Sequence, residues 1–433
     1  MDGNAIRVLC AGDLHIGRRS SRLPDSQAGA EHSCAAAWDA VVDTAIAERV
    51  DVVALSGDLV DRANRYFEAI GPLERGLRRL AGEGIDTYAV AGNHDYDVLR
   101  ELVDTLDLER FRLLGRGGQW ERAIVERDGR PTLHIDGWSF PQEQVYECAL
   151  DSYEQSDDGV PVLGLLHADL DQAGSRYGPV TLGDLRRRPV ALWLLGHIHG
   201  CAILAGDGGP VVIYPGTPQA MDPGEQGLHG AVIADIDPSG RVATRRAPLS
   251  TVCYLPLTID VSDVESDDEV RSRLVTALRD ALARDEHRYD RLACLSCRLT
   301  VTGRTPLHGR MREIVEAARE DLNLTGAGGA EAIVERIEYE TRPALDLAAI
   351  ARRNDPPGAV ARIIQAIEEG NAHSACSELI DGTTRELRNI HGASAFNGIA
   401  MDEIPEPANA ERFLLPEAWA LLDALVAQKE AGG

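Results

Sequence analysis

The chain has 433 residues, more than one hydrophobic core ordinarily organises, so about two or three domains are expected. Its 44 Lys+Arg against 70 Asp+Glu leave a net charge of −26, which on average repels a polyanion, and no apolar run reaches the ~18 residues that would span a bilayer. Lys429 is the one lysine, which excludes a phosphate loop built around its own lysine, and the 8 scattered cysteines are too sparse for a disulfide framework.

Met1–Asp2 leads into the first apolar segment without a leader pattern, from which a cytoplasmic location is expected. Buried strands are expected at Ile6–Ala11, Val52–Ser56, Tyr88–Ala91, Val162–Leu166 and Ala191–Leu195, with helices over Ala30–Glu48 and Tyr66–Ala81. Each of these strands runs directly into a Gly or His, and in sheet-based α/β folds ligands gather at the carboxyl ends of strands. Trp120–Phe140 reads as a hairpin turning at Asp128-Gly129, and Gly230–Ala247 as another around Pro238-Ser239-Gly240. After Pro248 the pattern becomes strand Tyr254–Val261, helix Asp267–Arg284, strand Leu292–Val301, helix Leu307–Leu322 and strand Ala332–Tyr339. The first of these helices carries Val270, Leu274, Leu278 and Leu282 on one face. Beyond Thr341 a mostly helical tail is expected, broken at Pro356-Pro357 and at Pro405 and Pro407. It bears two apolar stripes, Val360, Ile363, Ile364 and Ile367, then Leu415, Trp419, Leu422 and Val426; each packs on its own domain or docks a partner.

Five strand ends present residues that ligate metals: Asp13-Leu14-His15, Gly57-Asp58-Leu59-Val60-Asp61, Gly92-Asn93-His94-Asp95, His167, and Gly196-His197-Ile198-His199. Asp13 and His15, two apart past a strand, can point the same way and reach one cation. Carboxylate with imidazole suits manganese, zinc or iron better than calcium. Asp58 has two oxygens and can bridge two ions, Asn93 offers a neutral carbonyl oxygen, and His197 and His199 repeat the spacing of Asp13 and His15. Taken singly, Asp13, Asp58 or Asn93 would be a turn or cap residue and His167 a hydrogen-bonded core histidine. Five such motifs in order are not independent caps, and together they read as a two-metal site, a recurrent device for phosphoryl transfer.

This series resembles the calcineurin-like metallophosphoesterases, and within them the DNA double-strand-break repair nucleases of the SbcD or Mre type, nearest the YhaO-like branch. Gly12-Asp13-Leu14-His15-Ile16-Gly17 and Tyr214-Pro215-Gly216-Thr217-Pro218-Gln219 carry the subfamily likeness, with Thr302-Gly303-Arg304-Thr305-Pro306-Leu307 as a softer cue. The resemblance implies an α/β fold, a four-layer β-sandwich flanked by helices, with a catalytic domain over residues 1–250, a small α/β capping domain over 251–345 and a helical C-terminal region over 346–433. It implies one metal held by Asp13, His15, Asp58 and His199 and another by Asp58, Asn93, His167 and His197, with manganese as the ion. It further implies DNA as substrate, a homodimer, and a coiled-coil ATPase of the SbcC type as partner, expected to dock near Leu415–Val426.

In-line hydrolysis leaves a sugar oxygen that needs a proton, and His94, beside a ligand yet outside the ligand set, is the candidate donor. Asp61 is placed to orient it and favour its charged form. Many nucleases of the family carry histidine where this chain has Asp61, a pattern closer to the phosphatases. Two other functions therefore stand beside the nuclease: a small-molecule phosphodiesterase or phosphatase, and a non-catalytic scaffold of the same fold, against which the complete ligand set counts. Cys294-Leu295-Ser296-Cys297 has metal spacing but lies in an apolar strand, so core packing is favoured. Arg176, Arg304 and Arg310 are surface residues or phosphate contacts, and His32, His134, His229, His287, His308, His373 and His391 have no comparable context.

Overall fold

The computed structural model describes residues 5–23, 29–61, 69–106, 108–154, 158–172, 174–205, 208–284, 290–372, 376–391 and 407–431. Its backbone divides into two compact units, residues 1–303 with 310–341, and residues 304–309 with 342–433.

In the first unit the strands are β1 (Ile6–Ala11), β2 (Val52–Leu55), β3 (Asp86–Ala89), β4 (Phe111–Leu113), β5 (Glu121–Arg127), β6 (Arg130–Trp138), β7 (Val162–His167), β8 (Leu192–Gly196), β9 (Ala202–Leu204), β10 (Val211–Tyr214), β11 (Gly230–Ile236) and β12 (Val242–Pro248). They form two sheets, ordered β12-β11-β1-β2-β3-β4 and β5-β6-β7-β8-β10-β9. β1, β2 and β3 are parallel neighbours in one sheet, and β6, β7 and β8 in the other.

The apolar runs alternate between two cores, which makes the arrangement four layers deep. Val8, Cys10, Val52 and Ala54 face Leu163, Leu165, Leu192 and Leu194 between the sheets. Leu9, Ala11, Val53 and Leu55 turn the other way, against helices Cys34–Ala47 and Ile70–Gly82. Trp138, Leu166, Trp193 and Leu195 cover the outer face of the second sheet. Strands buried on both faces must be apolar throughout, which is why they read as continuous hydrophobic runs. Both expected hairpins form, β5 with β6 and β11 with β12. The third expected strand begins two residues earlier, at Asp86, and ends at Ala89, because Val90 to Asn93 leave the sheet to reach the site.

The smaller sheet runs β13-β14-β16-β15, from β13 (Val252–Asp260), β14 (Cys294–Thr305), β15 (Leu324–Thr325) and β16 (Glu331–Pro343). β13 and β14 are parallel and joined through helix Asp267–Ala283, whose buried face is Val270, Leu274, Leu278 and Ala281 rather than Leu282. The helix expected over 307–322 is broken: only Met311–Ala317 is α-helical, flanked by 3₁₀ turns. Cys294 and Cys297 are both buried, and burial pushes both thiols up to about 12, as core residues.

In the second unit helices Leu347–Ala351, Pro356–Glu368, Ser377–His391 and Pro407–Ala431 follow one another. The two apolar stripes serve this unit's own cores: Val360 and Ile364 cluster with Leu422, Leu415, Trp419 and Val426, while Ile367 and Ile363 join Ile380 and Leu414. The face expected to dock a partner is therefore the one that closes a local core. Arg304, expected as a surface or phosphate-binding residue, forks onto Asp423 with both bonds at 2.8 Å and lies over the Trp419 ring at 3.8 Å.

Candidate metal centre

β1, β2, β3, β7 and β8 deliver their carboxyl ends to one edge of the sandwich. Past β1 come Asp13 and His15, past β2 Asp58 and Asp61, past β3 Asn93 and His94, at the end of β7 His167, and past β8 His197 and His199. Asp13, His15, Asp58, Asp61, Asn93 and His167 are buried, in a place where isolated polar groups would be costly. Every sequence-predicted site residue is thus at this edge.

Contacts between side chains define the centre. His15 Nε2 and His199 Nε2 are 3.1 Å apart. His167 Nε2 lies 3.0 Å from Asn93 Oδ1 and 3.4 Å from Asp58 Oδ2, while Asn93 Oδ1 is also 3.2 Å from His197 Nδ1. Ligand atoms of Asp13, His15 and His199 lie within 4.8 Å of one another, as do those of Asp13, Asp58 and His167, and those of His15, Asp58 and His94.

The outer hydrogen bonds fix which nitrogens face inward. His167 donates Nδ1–H to the Ser56 carbonyl at 3.0 Å, so its Nε2 presents a lone pair to the two oxygens opposite. His199 donates Nδ1–H to Glu225 Oε1 at 2.6 Å, so its Nε2 is likewise directed at His15. Lone pairs and oxygens converging without a proton between them repel one another, and a cation removes that repulsion. The donor set, imidazole nitrogens with two carboxylates and one amide oxygen, fits manganese, zinc or iron.

Three carboxylates that sequence reasoning left without a role hold these ligands. Glu225 holds His199 and accepts the Met221 amide at 2.6 Å through its other oxygen. Asp169 lies 3.4 Å from His197 Nε2 and accepts a short hydrogen bond from Ser175. Asp95 accepts from Leu59 N at 2.6 Å and from Gly92 N at 2.8 Å, tying the Asp58 loop to the Asn93 loop; burial, then Asp58, pushes its carboxyl up to about 8. Asp169 had a signal in the sequence, since His167-Ala168-Asp169 repeats the two-residue spacing of the other ligand pairs. Glu225 had none.

Two glycines make room for this crowding. A Cβ on Gly92 would lie 2.3 Å from Asp58 Oδ1, and one on Gly196 would lie 2.1 Å from the Ser56 carbonyl oxygen.

The electrostatics follow from burial and neighbours. Burial raises Asp58, but His167, His15 and His94 together hold it below the usual carboxylate range. Burial, then His167, holds His197 below the ordinary imidazole value. Burial works against a charged His199, and the Glu225 carboxylate overcomes it, leaving His199 raised. His94 Nδ1 stands 3.8 Å from Asp61 Oδ1, which also lies 3.6 Å from His15 Nδ1. Asp58 and Asp61 do raise His94, as expected, but burial outweighs them and the net shift is downward.

Residues 6–201 match the sequence profile of the calcineurin-like phosphoesterase family. The two-sheet sandwich has the metallophosphoesterase fold, and the family likeness spans a little under half of the chain. Residues 254–342 match the middle domain of metallophosphoesterase YhaO. The chain is 29% identical over 267 residues to the uncharacterized metallophosphoesterase YhaO of Bacillus subtilis, covering 60% of this chain and 64% of that protein. It is 27% identical over 224 residues to the DNA double-strand break repair protein Mre11 of Saccharolobus solfataricus, covering 50% and 55%. The Mre11 protein of Aeropyrum pernix is 25% identical over 229 residues, with 50% and 54% covered. The chain spans less than two thirds of the length of each of these relatives. A metallophosphoesterase fold accounts for the divalent-metal donor set, and no helix among the described residues is long and apolar enough to cross a membrane.

Proposed function

We propose that this protein is a manganese-dependent DNA nuclease, a 3′-to-5′ exonuclease with single-strand endonuclease activity, acting in DNA repair. The observation that carries the hydrolytic part is the convergence of His167 Nε2, its proton held on the Ser56 side, on the Asn93 and Asp58 oxygens, beside the facing His15 and His199 nitrogens. The DNA substrate rests on the likeness to two Mre11 proteins over half of the chain. A homodimer and an SbcC-type coiled-coil ATPase partner belong to the same reading, since the chain has no lysine-based nucleotide loop of its own.

Asp13, His15, Asp58 and His199 would hold one ion, and Asp58, Asn93, His167 and His197 the other. Two such cations activate a water nucleophile and offset charge on the phosphoryl oxygens. The chain's residues supply the rest. Ser56 and Glu225 hold the Nδ1–H groups of His167 and His199, so that their Nε2 lone pairs would face the ions, and Asp169 lies 3.4 Å from His197 Nε2. His94 stays about a third exposed at the rim and hands a proton to the departing sugar oxygen, with Asp61 on its Nδ1 side as orienter. Its depressed pKa makes it a strong donor and keeps the charged form a minority at neutral pH.

The deciding assay is nucleotide release from labelled duplex ends by the full chain with manganese, with Asp58→Ala expected to lose both metal and release, and His94→Asn to keep metal and lose release. If the manganese-loaded chain leaves DNA intact yet cleaves a small phosphodiester, the nuclease is refuted. That result would establish the second reading, a small-molecule phosphodiesterase, which the net charge of −26 and Asp61 favour.

A further inference from the structure

The loop that follows His15 carries Arg18, Arg19 and Arg22, and none of the three makes an ion pair among the described residues. Arg19 and Arg22 are exposed and Arg18 is half-buried, whereas arginines such as Arg7, Arg79, Arg110, Arg122 and Arg298 pair with carboxylates. The loop starts against a ligand of the metal centre: Arg18 N donates to the His15 carbonyl at 3.0 Å, and Cys34 N donates to the Arg18 carbonyl at 2.9 Å.

The loop is gripped from two sides. From the Thr217-Pro218-Gln219 segment, Gln219 Nε2 donates to Ser20 Oγ at 2.8 Å, and Ser20 Oγ in turn donates to the Ala220 carbonyl at 2.5 Å. Ser21 N donates to the Met221 carbonyl at 2.8 Å. From the small sheet, Tyr254 on β13 donates its hydroxyl to the Ser21 carbonyl, and Leu23 packs on Tyr254, Val252, Cys294 and Ile333. Gln219 joins the two sides, because its Oε1 accepts from Thr251 N at 3.2 Å, one residue before β13. A buried primary amide is the side chain that can donate to one partner and accept from another. Ser20 Oγ has already given its proton to Ala220, so it needs a donor there and a carboxylate would not serve. Gln219 is 1% exposed, and its side chain bonds Ser20 and Thr251.

We propose that the small α/β domain positions the substrate-binding surface of the metal centre: Tyr254 and Gln219 are positioning residues that clamp the 16–23 loop so that Arg18, Arg19 and Arg22 face a polyanionic phosphodiester. This rests on the reading of the site as a nuclease. It explains how a chain with a net charge of −26 meets a polyanion, by a few unpaired arginines held in one place rather than by a basic field.

The test is steady-state hydrolysis of a single-stranded oligonucleotide by the manganese-loaded full chain. Tyr254→Phe removes one hydroxyl and keeps the ring in its core, so the fold has little reason to suffer. It is expected to raise KM about fivefold, the factor that one ordinary hydrogen bond is worth, while kcat moves less than about twofold. Gln219→Met should do the same. Replacing Arg18, Arg19 and Arg22 together by Ala should raise KM further, and adding Tyr254→Phe to that variant should raise it no more, because the clamp acts through the arginines. The proposal is overturned if kcat falls with KM unmoved, if the arginine variant binds the oligonucleotide as the parent does, or if the effects of the clamp and the arginines simply add. A parent chain that leaves the oligonucleotide uncut overturns the nuclease reading instead, and that control is read before any variant.

Discussion

Replacing Glu225 by Gln tests whether the metal centre depends on a residue that touches no metal. Glu225 spends both oxygens at once, Oε1 on His199 Nδ1–H and Oε2 on the Met221 amide, each at 2.6 Å. Both partners are donors, and both bonds are of the charge-assisted kind. A Gln side chain has one acceptor and one NH₂ group, so one of the two bonds becomes a donor facing a donor. Either His199 loses the partner that holds its Nε2 toward His15, or the 220–225 turn opens at Met221. Loss of such an outer partner costs about 10- to 100-fold in metal affinity, which is about 1.4–2.7 kcal/mol. Manganese titration by calorimetry should show that loss for Glu225→Gln, with secondary structure retained by circular dichroism. Affinity within about threefold of the parent would refute the reasoning, because it would mean that His199 is oriented by its packing alone.

Gly92→Ala should remove metal binding and lower stability by about 1–3 kcal/mol, the usual cost of overpacking, since the new Cβ meets Asp58 Oδ1, itself held by the His94 amide at 2.8 Å. Thermal melting and metal content of the purified variant check both. Arg304→Ala removes a bidentate bond to Asp423 and a stack on Trp419, in a setting where both charged partners are only about a fifth exposed, and should destabilise the helical unit by about 2–3 kcal/mol, read from the Trp419 fluorescence transition in urea. His32 is buried and its pKa is lowered by that burial, so the unfolded chain binds a proton that the folded chain refuses. Its contribution to stability is therefore complete above about pH 6.5 and falls as pH drops through the window between the unfolded and folded values. Melting temperature should decline on acidification from pH 7, and His32→Phe should flatten that decline; an identical slope would refute the assignment.

The inner ligands were legible because each follows a buried strand whose end is set by composition. An apolar run that must lie in a sheet buried on both faces stops where polar residues begin, and here those polar residues are the ligands. What the chain concealed is the layer behind them. Glu225 sits in a Pro-Gly-Glu turn with no period to mark it, and its partner lies 26 residues away at His199. Gln219 stood out as part of a motif but not as a bridge, because its two partners, Ser20 and Thr251, come from distant parts of the chain. Arg304 read as a surface residue or a phosphate contact because its carboxylate, Asp423, is 119 residues away. In the helix expected over 307–322 the apolar positions Met311, Ile314, Val315 and Leu322 are buried, but only Met311–Ala317 is α-helical and 3₁₀ turns make up the rest. Periodicity reports which face is buried and says little about where the backbone bends.

The backbone at the ligands explains why the strand-end signature is so compact. Asp13, His15, Asp58 and His197 all have positive φ, at 49°, 45°, 51° and 93°. For a residue with a side chain this is a strained region, tolerated best by Asn, Asp and His. The strain persists because the loops are pinned to one another: Asp13 N donates to Gly57 O at 2.9 Å, His15 N to Asp58 O at 3.0 Å and Ile16 N to Leu59 O at 3.0 Å, and Asp95 ties the same loop to Gly92. His197 N adds a bond from the second sheet to Asp13 Oδ1 at 2.9 Å. The sharp left-handed turn after β1, β2 and β8 swings a side chain back over the sheet edge, where chains from both sheets can meet. Residues that turn there without a large penalty are also those that bind hard or borderline cations. One residue type therefore answers two demands, the turn and the ligand, and a single short motif after a strand carries both. The strain in these four ligand residues is held by backbone hydrogen bonds between neighbouring loops and across the two sheets.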